Sequence, residues 1–115
     1  MLSINHVALT VSDREKAAEF YGQYFGMHKR VHDDEHLLIL AGQDGSLLAL
    51  SCGKAPTGLP RTNHFGFPAD SAEQVLTLRQ RFDEAGVTEV EFQESGPTRV
   101  QVFDPDGYRV EVYAF

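Results

Sequence analysis

The sequence has a single cysteine, no long apolar run and fewer basic than acidic residues. Because Cys52 is the one thiol among 115 residues, the chain cannot form an internal disulfide, which is typical of a reducing compartment. The net charge of −7, with acidic residues scattered along the chain, argues against nucleic acid and membranes as partners. Apolar runs such as residues 47–50 are too short to span a membrane, and no signal peptide is recognisable. We therefore expect a cytoplasmic protein.

The size of the chain bounds its architecture. A 12.8 kDa chain with 42% hydrophobic and 23% charged residues is typical of one compact domain, here residues 1–115. A domain of this size buries a real core but is small for an enzyme with its own deep cleft. For this reason we expect a homodimer.

Residue patterns predict the element order β-α-β-β-β in the first half of the chain. The helix would begin after Ser12 or Asp13 and end at Gly26. A turn-rich stretch over residues 53–60 is typical of a linker. Strands are predicted at residues 3–11, 28–33, 37–41 and 46–51.

The same element order recurs in the second half. Ser71 would cap a helix over about residues 71–85, and Gly86 would end it. Strands are predicted at residues 62–67, 87–92, 98–103 and 108–114. We therefore predict an α+β fold of two tandem β-α-β-β-β modules. The modules would cover about residues 1–53 and 62–115, with the linker at about 54–61.

Alignment of the two modules makes four positions equivalent in pairs. Each module has an Asn-His pair on its first strand, which matches His6 with His64. An Asp-Gly turn precedes the last strand of each module, which matches Ala49 with Glu111. A pseudo-twofold arrangement of the modules would bring these four positions together. Three of them carry side chains that bind metals, and the fourth, Ala49, does not.

Two imidazoles and one carboxylate suit a divalent metal ion. Fe(II), Mn(II), Co(II), Ni(II) and Zn(II) all accept this ligand set, which leaves positions open for water and a substrate with adjacent oxygens. The ion would act as a Lewis acid. We predict one divalent ion per site, bound by His6, His64 and Glu111.

Three residues near the predicted ligands are candidates for contact with a substrate. Arg99 and Gln101 share one face of a strand, and both would bind substrate if that face lines the site. Tyr113 follows Glu111 by two residues on the same strand face and is the candidate catalytic acid. For each of the three, an exposed position on the sheet is the alternative.

Four sequence motifs together resemble the vicinal oxygen chelate superfamily. This superfamily includes glyoxalase I, extradiol dioxygenases, fosfomycin and bleomycin resistance proteins and methylmalonyl-CoA epimerase. The resemblance covers essentially the whole chain and implies a curved eight-stranded cup around the site. The motifs are Asn5-His-Val-Ala-Leu-Thr-Val11, Ala18-Glu-Phe-Tyr-Gly-Gln-Tyr-Phe-Gly26, Asn63-His64 and Phe103-Asp-Pro-Asp-Gly-Tyr-Arg-Val-Glu111.

The resemblance implies metal ligands at His6, His64 and Glu111, and it also shows departures from particular members. Glyoxalase I usually has a Glu or Gln at the position of Ala49, so the set of three ligands is more similar to extradiol dioxygenases or fosfomycin thiol transferases. A threonine that fosfomycin resistance proteins have two residues after the first histidine is Ala8 here. Modules in this family often pair across a twofold dimer, so His6 would come from either chain.

The resemblance favours a metal-dependent enzyme that acts on a small oxygen-rich molecule. The reaction would be of the lyase, isomerase or ring-cleaving dioxygenase type. The alternative is a metal-free protein that binds an antibiotic or a metabolite on the same fold, and a regulatory domain with a protein partner is a third possibility. The complete set of three ligands favours the enzyme, because binders of that kind lack it.

Overall fold

The computed structural model describes the whole chain, Met1–Phe115. The chain divides into two compact units, Met1–Gly58 (unit 1) and Leu59–Phe115 (unit 2). Neither helix of the structure is both long and apolar enough to cross a membrane. The assignment of residues 1–115 to one domain with a linker at about 54–61 stays a prediction.

Unit 1 has one helix and a four-stranded sheet, sheet A. The strands lie in the order β1-β4-β3-β2, with β1 parallel to β4 and the other pairs antiparallel. The elements are β1 (His6–Val11), α1 (Arg14–Phe25), β2 (Lys29–Asp33), β3 (Leu38–Ala41) and β4 (Leu47–Cys52).

Local chemistry sets both ends of α1. The Asp13 side chain accepts the backbone N–H groups of Glu15 and Lys16, which otherwise lack a partner in the first turn of a helix. Gly26 ends the helix at φ 71°, in the left-handed region where a glycine has no steric cost. Both predicted ends of the helix are therefore confirmed.

The core of unit 1 lies between α1 and one face of sheet A. Phe20 and Tyr21 are buried on the helix, and their rings meet edge to face at 5.1 Å between centroids. Alternate strand residues supply the opposite wall of this core, and burying each such side chain contributes about 1.5–3 kcal/mol. These strand residues are Leu9, Val11, Leu38, Leu40, Leu48 and Leu50.

Unit 2 repeats this arrangement as sheet B and a second helix. The strand order is β5-β8-β7-β6, with β5 parallel to β8 and the other pairs antiparallel. The elements are β5 (Phe65–Pro68), α2 (Ala72–Glu84), β6 (Glu89–Gln93), β7 (Thr98–Phe103) and β8 (Arg109–Ala114). The buried side chains between α2 and sheet B are Val75, Leu78, Phe82, Val100, Val102, Val110 and Val112.

The turn before the last strand has the same form in both units. In unit 2 the buried carboxylate of Asp104 accepts the backbone N–H groups of Asp106 and Tyr108 through Oδ1. Gly107 sits at φ 87° in this turn, and Gly45 at φ 86° occupies the matching place in unit 1. The turn fixes where β8 begins and therefore which of its residues face each side of the sheet.

The strand registers agree with the alignment of the two modules. In sheet A, Ala8 of β1 is opposite Ala49 of β4. In sheet B, Gly66 of β5 is opposite Glu111 of β8. The α+β fold with the order β-α-β-β-β in each half is therefore confirmed.

Two strands start three residues later than predicted. The first begins at His6 rather than residue 3, since β4 begins only at Leu47, which is the residue that pairs with His6. The fifth begins at Phe65 rather than residue 62. The N–H of Asn63 bonds to the Pro60 carbonyl in a turn, so the chain becomes extended only after His64.

Candidate functional site

Glu111 lies in the middle of β8 with its side chain 13% exposed. Its cross-strand neighbours are Gln101 on β7 and Gly66 on β5, and Gln101 is opposite Glu91 on β6. Directly opposed residues project from the same face of a sheet. Glu91, Gln101 and Glu111 therefore form a row on the face away from α2, which we call the polar face of sheet B. Gly66 leaves room beside the carboxylate at the end of this row.

His64 meets Glu111 from the chain segment that enters β5. Its Nδ1 lies 2.9 Å from the carbonyl oxygen of Thr62, which can only accept, so Nδ1 carries the proton in this bond. In the neutral ring the lone pair is then on Nε2. This Nε2 lies 3.9 Å from Oε2 of Glu111, beyond hydrogen-bond distance.

These two side chains fit a divalent metal ion as ligands. An imidazole nitrogen and a carboxylate oxygen are common donors to transition metals, and both present lone pairs to the same space. A histidine that binds a metal through one nitrogen usually donates from the other to a carbonyl or carboxylate. The bond from His64 to Thr62 supplies that second interaction.

Arg99 holds the other oxygen of Glu111. Its Nη1 donates to Oε1 of Glu111 over 2.9 Å, and its Nη2 lies 3.5 Å from Oε1 of Glu91. Burial by itself would lower the pKa of Arg99, but the Glu111 and Glu91 carboxylates outweigh it and raise that pKa above its ordinary value. Arg61 adds a second cation 3.3 Å from Glu91. Arg99 is thus a partner of the candidate metal ligand, and its contact with substrate stays a prediction.

Gln101 and Tyr113 lie on the same face as Arg99, Gln101 two residues further along β7 and Tyr113 opposite Arg99 on β8. Gln101 is only 1% exposed, and its Oε1 has no hydrogen-bond partner within the protein. Tyr113 is opposite Arg99 in the register and half-buried, with its ring 5.6 Å from that of Phe115. Both side chains are therefore beside Glu111. Gln101 is opposite Glu111 on the neighbouring strand, and Tyr113 follows Glu111 by two residues on β8, so all three project from one face.

A family model decides which group of proteins this chain belongs to. The model described as the Glyoxalase/Bleomycin resistance protein/Dioxygenase superfamily matches residues 3–112. The chain is a member of this superfamily. The resemblance stated from the four sequence motifs is therefore confirmed.

Relatives within the superfamily carry different activities in their names. The chain is 30% identical to glutathione transferase FosA from Serratia marcescens, over 96% of this chain and 79% of that protein. It is 27% identical to a trivalent organoarsenical cleaving enzyme from Bacillus sp. (strain MD1), over 94% of this chain and 70% of that enzyme. The solved structure of a possible glyoxalase from Bacillus cereus is 33% identical, with a TM-score of 0.82, over 97% and 98% of the two chains.

Two of the three predicted ligands lie close together within one unit. His64 and Glu111 both belong to unit 2, whereas His6 is exposed as the first residue of β1 in unit 1. Within each unit taken alone, no group of three His, Cys, Asp or Glu side chains could hold a metal ion. The role of His6 as the third ligand therefore stays a prediction.

Three residues at the site were not predicted from the sequence. Thr62 orients His64 through a backbone carbonyl, for which a sequence has no signal. Glu91 and Arg109 share the polar face of sheet B with Glu111. The alternation of the last strand already places Arg109 on the face of Glu111, two residues before it, but did not mark Arg109 as a site residue.

Proposed function

We propose that the protein is a metal-dependent enzyme that acts on a small oxygen-rich molecule. The observation that carries this proposal is the approach of His64 Nε2 to Glu111 Oε2, with Nδ1 of the histidine bonded to Thr62. This pair supplies an imidazole and a carboxylate to one ion. His6, from the same chain or from a second copy in a homodimer, supplies the third ligand.

Each residue of the site has a role in this proposal. When bound, a divalent ion such as Fe(II), Mn(II), Co(II), Ni(II) or Zn(II) supplies Lewis-acid chemistry at a substrate oxygen. Arg99 holds Glu111 in place, so that one carboxylate oxygen faces His64. Gln101 binds a polar group of the substrate, and Tyr113 is the candidate proton donor. The reaction is of the lyase, isomerase or ring-cleaving dioxygenase type, and an exposed free Cys52 agrees with a cytoplasmic location.

The names of the relatives support an enzyme over a simple binder. A transferase and a cleaving enzyme align with more than nine-tenths of this chain. The alternative is a metal-free protein that binds an antibiotic or metabolite on the same fold. That alternative does not require His64 and Glu111 to face each other.

Metal binding separates the two hypotheses. Chelator-treated protein should take up about one Co(II) per chain, measured by elemental analysis and by the visible absorption of bound Co(II). His6→Gln, His64→Gln and Glu111→Gln should each weaken Co(II) binding at least about tenfold, since each removes a ligand. His36→Gln changes an exposed histidine and is the matched control. No uptake of Co(II), Mn(II), Ni(II), Zn(II) or Fe(II), or equal affinity in all variants, would favour the metal-free binder.

A further inference from the structure

Two buried side-chain atoms in the protein have no hydrogen-bond partner within it. They are Oε1 of Gln101, an acceptor, and Nη1 of Arg109, a donor. Most buried polar atoms in folded proteins are paired, because losing water without gaining a partner is unfavourable. An unpaired N–H of a charged guanidinium is more costly still. Both atoms therefore need an explanation.

The two atoms belong to residues on the same face of sheet B, and both residues are neighbours of Glu111. Gln101 is directly opposite Glu111 on the neighbouring strand. Arg109 precedes Glu111 by two residues on β8, so its side chain projects from the same face. The donor and the acceptor thus flank the carboxylate that we assign to the metal ion.

Neighbouring side chains do not satisfy either atom. Arg109 is opposite Phe103, and its guanidinium carbon lies 5.4 Å from the centre of that ring, which offers no conventional acceptor for the N–H. Arg99 is already committed to Glu111 and Glu91 on the same face. One N–H of the Arg109 guanidinium is therefore buried without an acceptor, whereas Arg99 on the same face is bonded to two carboxylates.

We propose that Gln101 and Arg109 form a substrate subsite for a small acid that also carries a hydroxyl or amine. Arg109 Nη1 donates to the acid oxygen, and Gln101 Oε1 accepts from the hydroxyl or amine. The proposal rests on the proposed function in that it names the substrate class for the same site. It does not require the metal ion, because both groups belong to the protein.

A series of ω-hydroxy acids tests the pairing of a donor and an acceptor. The probes are glycolate, 3-hydroxypropanoate and 4-hydroxybutanoate, each compared with the carboxylic acid of equal length that lacks the hydroxyl. Titration by NMR with full-length protein should give dissociation constants of about 1–10 mM, as expected for so few atoms. At one chain length the hydroxyl should strengthen binding about fivefold or more. If the hydroxyl has no effect at any length, or if no acid binds, the subsite does not exist.

Two variants connect the binding to the assigned atoms. Arg109→Met should weaken binding of every acid about tenfold, and Gln101→Met should remove only the gain from the hydroxyl. Arg79→Met is the matched control, because Arg79 also lies over a phenylalanine ring, that of Phe92, at 3.6 Å. It should leave binding of the probes unchanged. Variants that bind the probes as the parent does would refute the subsite.

Thermal unfolding adds a readout that a structural role would not give. Because each variant removes a buried group without a partner, Gln101→Met and Arg109→Met should leave the melting temperature of the probe-free protein unchanged or raise it. A fall in both melting temperatures would assign the two residues to structure instead. The titrations are run with chelator and again with Mn(II). Failure of metal binding with intact probe binding then counts against the metal-dependent enzyme alone, and the reverse result counts against the subsite alone.

Discussion

Arg99 donates from Nη1 to Oε1 of Glu111 over 2.9 Å and leaves Oε2 of the same carboxylate 3.9 Å from Nε2 of His64. One oxygen of the candidate metal ligand is thus bound within the protein, and the other faces a lone pair. A divalent ion bound to Oε2 would be a second cation beside Glu111, in addition to Arg99. If Glu111 binds an ion as we propose, Arg99 and the ion would share one carboxylate.

Replacement of Arg99 by methionine should destabilise the protein in a way that a divalent ion reverses. With chelator, Arg99→Met leaves the carboxylate of Glu111 without its arginine partner, whereas Glu91 keeps Arg61, and the change should lower the free energy of unfolding by about 1–3 kcal/mol. With saturating Mn(II) the loss should be smaller, because the ion neutralises Glu111. Urea unfolding under the two conditions measures both values.

The matched control for this comparison is Arg79→Met on the opposite side of unit 2. Arg79 pairs with Glu89 at 2.7 Å, but both side chains are more than a third exposed, so the loss should be below about 1 kcal/mol. Mn(II) should not change it. An equal loss for Arg99→Met with chelator and with Mn(II) would show that the ion does not bind Glu111.

Gly66 should matter for metal binding because it stands beside Glu111. A Cβ added at Gly66 would lie 3.3 Å from the backbone oxygen of Glu111 and 3.3 Å from Cε1 of Tyr113. The backbone cannot yield as a flexible side chain would, so Gly66→Ala should displace Glu111 by a few tenths of an ångström. We expect Co(II) affinity to fall several-fold, with a stability loss of about 1 kcal/mol. Unchanged Co(II) affinity would contradict this.

The elements that follow from local chemistry were predictable from the sequence. Asp13 caps α1, Gly26 ends it and Ser71 caps α2, because capping depends on neighbours a few residues away. The alternation in β8 likewise predicted that Glu111 and Tyr113 share a face opposite to the buried valines. These features need no information from distant parts of the chain.

The partners of Glu111 were not predictable in the same way. Arg99 is twelve residues away from Glu111 in the sequence and reaches it diagonally from the neighbouring strand β7. This contact depends on the register of the two strands, which the Asp104 turn sets. Arg99 was accordingly predicted to bind substrate. The exact start of β5, and with it the position of His64 before the strand, depends on the bond from Asn63 to Pro60.

Replacement of Gly22 by alanine should stabilise the protein. Gly22 is buried in the middle of α1, where glycine is less favourable than alanine by about 0.5–1 kcal/mol. An added Cβ would have its nearest neighbour at 3.4 Å, Nδ1 of His28, which is an ordinary contact with a side chain that can move. Thermal unfolding should show a higher melting temperature for Gly22→Ala. A lower one would mean that His28 cannot adjust.

Stability in acid should depend on Asp34, in the connection between β2 and β3. Its carboxylate accepts the backbone N–H groups of His36 and Leu37 at 2.8 Å and lies 2.8 Å from Nε2 of His32. The bond from His36, then the one from His32 and the one from Leu37 lower the pKa of Asp34 from 3.8 to about 2. A carboxyl with a lowered pKa in the folded state stabilises the fold above its unfolded pKa. This contribution is therefore complete above pH 3.8 and is lost as the pH falls towards about 2.

Asp34→Asn isolates this contribution, because the amide oxygen can still accept both backbone N–H groups but cannot titrate. Between about pH 5 and pH 2, the urea midpoint of the parent should fall more steeply than that of Asp34→Asn. Glu35→Gln is the control, since the Glu35 side chain is 84% exposed and forms an ion pair with the neighbouring His36 at 3.2 Å. It should follow the parent curve. Parallel curves for the parent and Asp34→Asn would mean that protonation of Asp34 does not destabilise the fold, and that the three bonds are as strong to the acid as to the carboxylate.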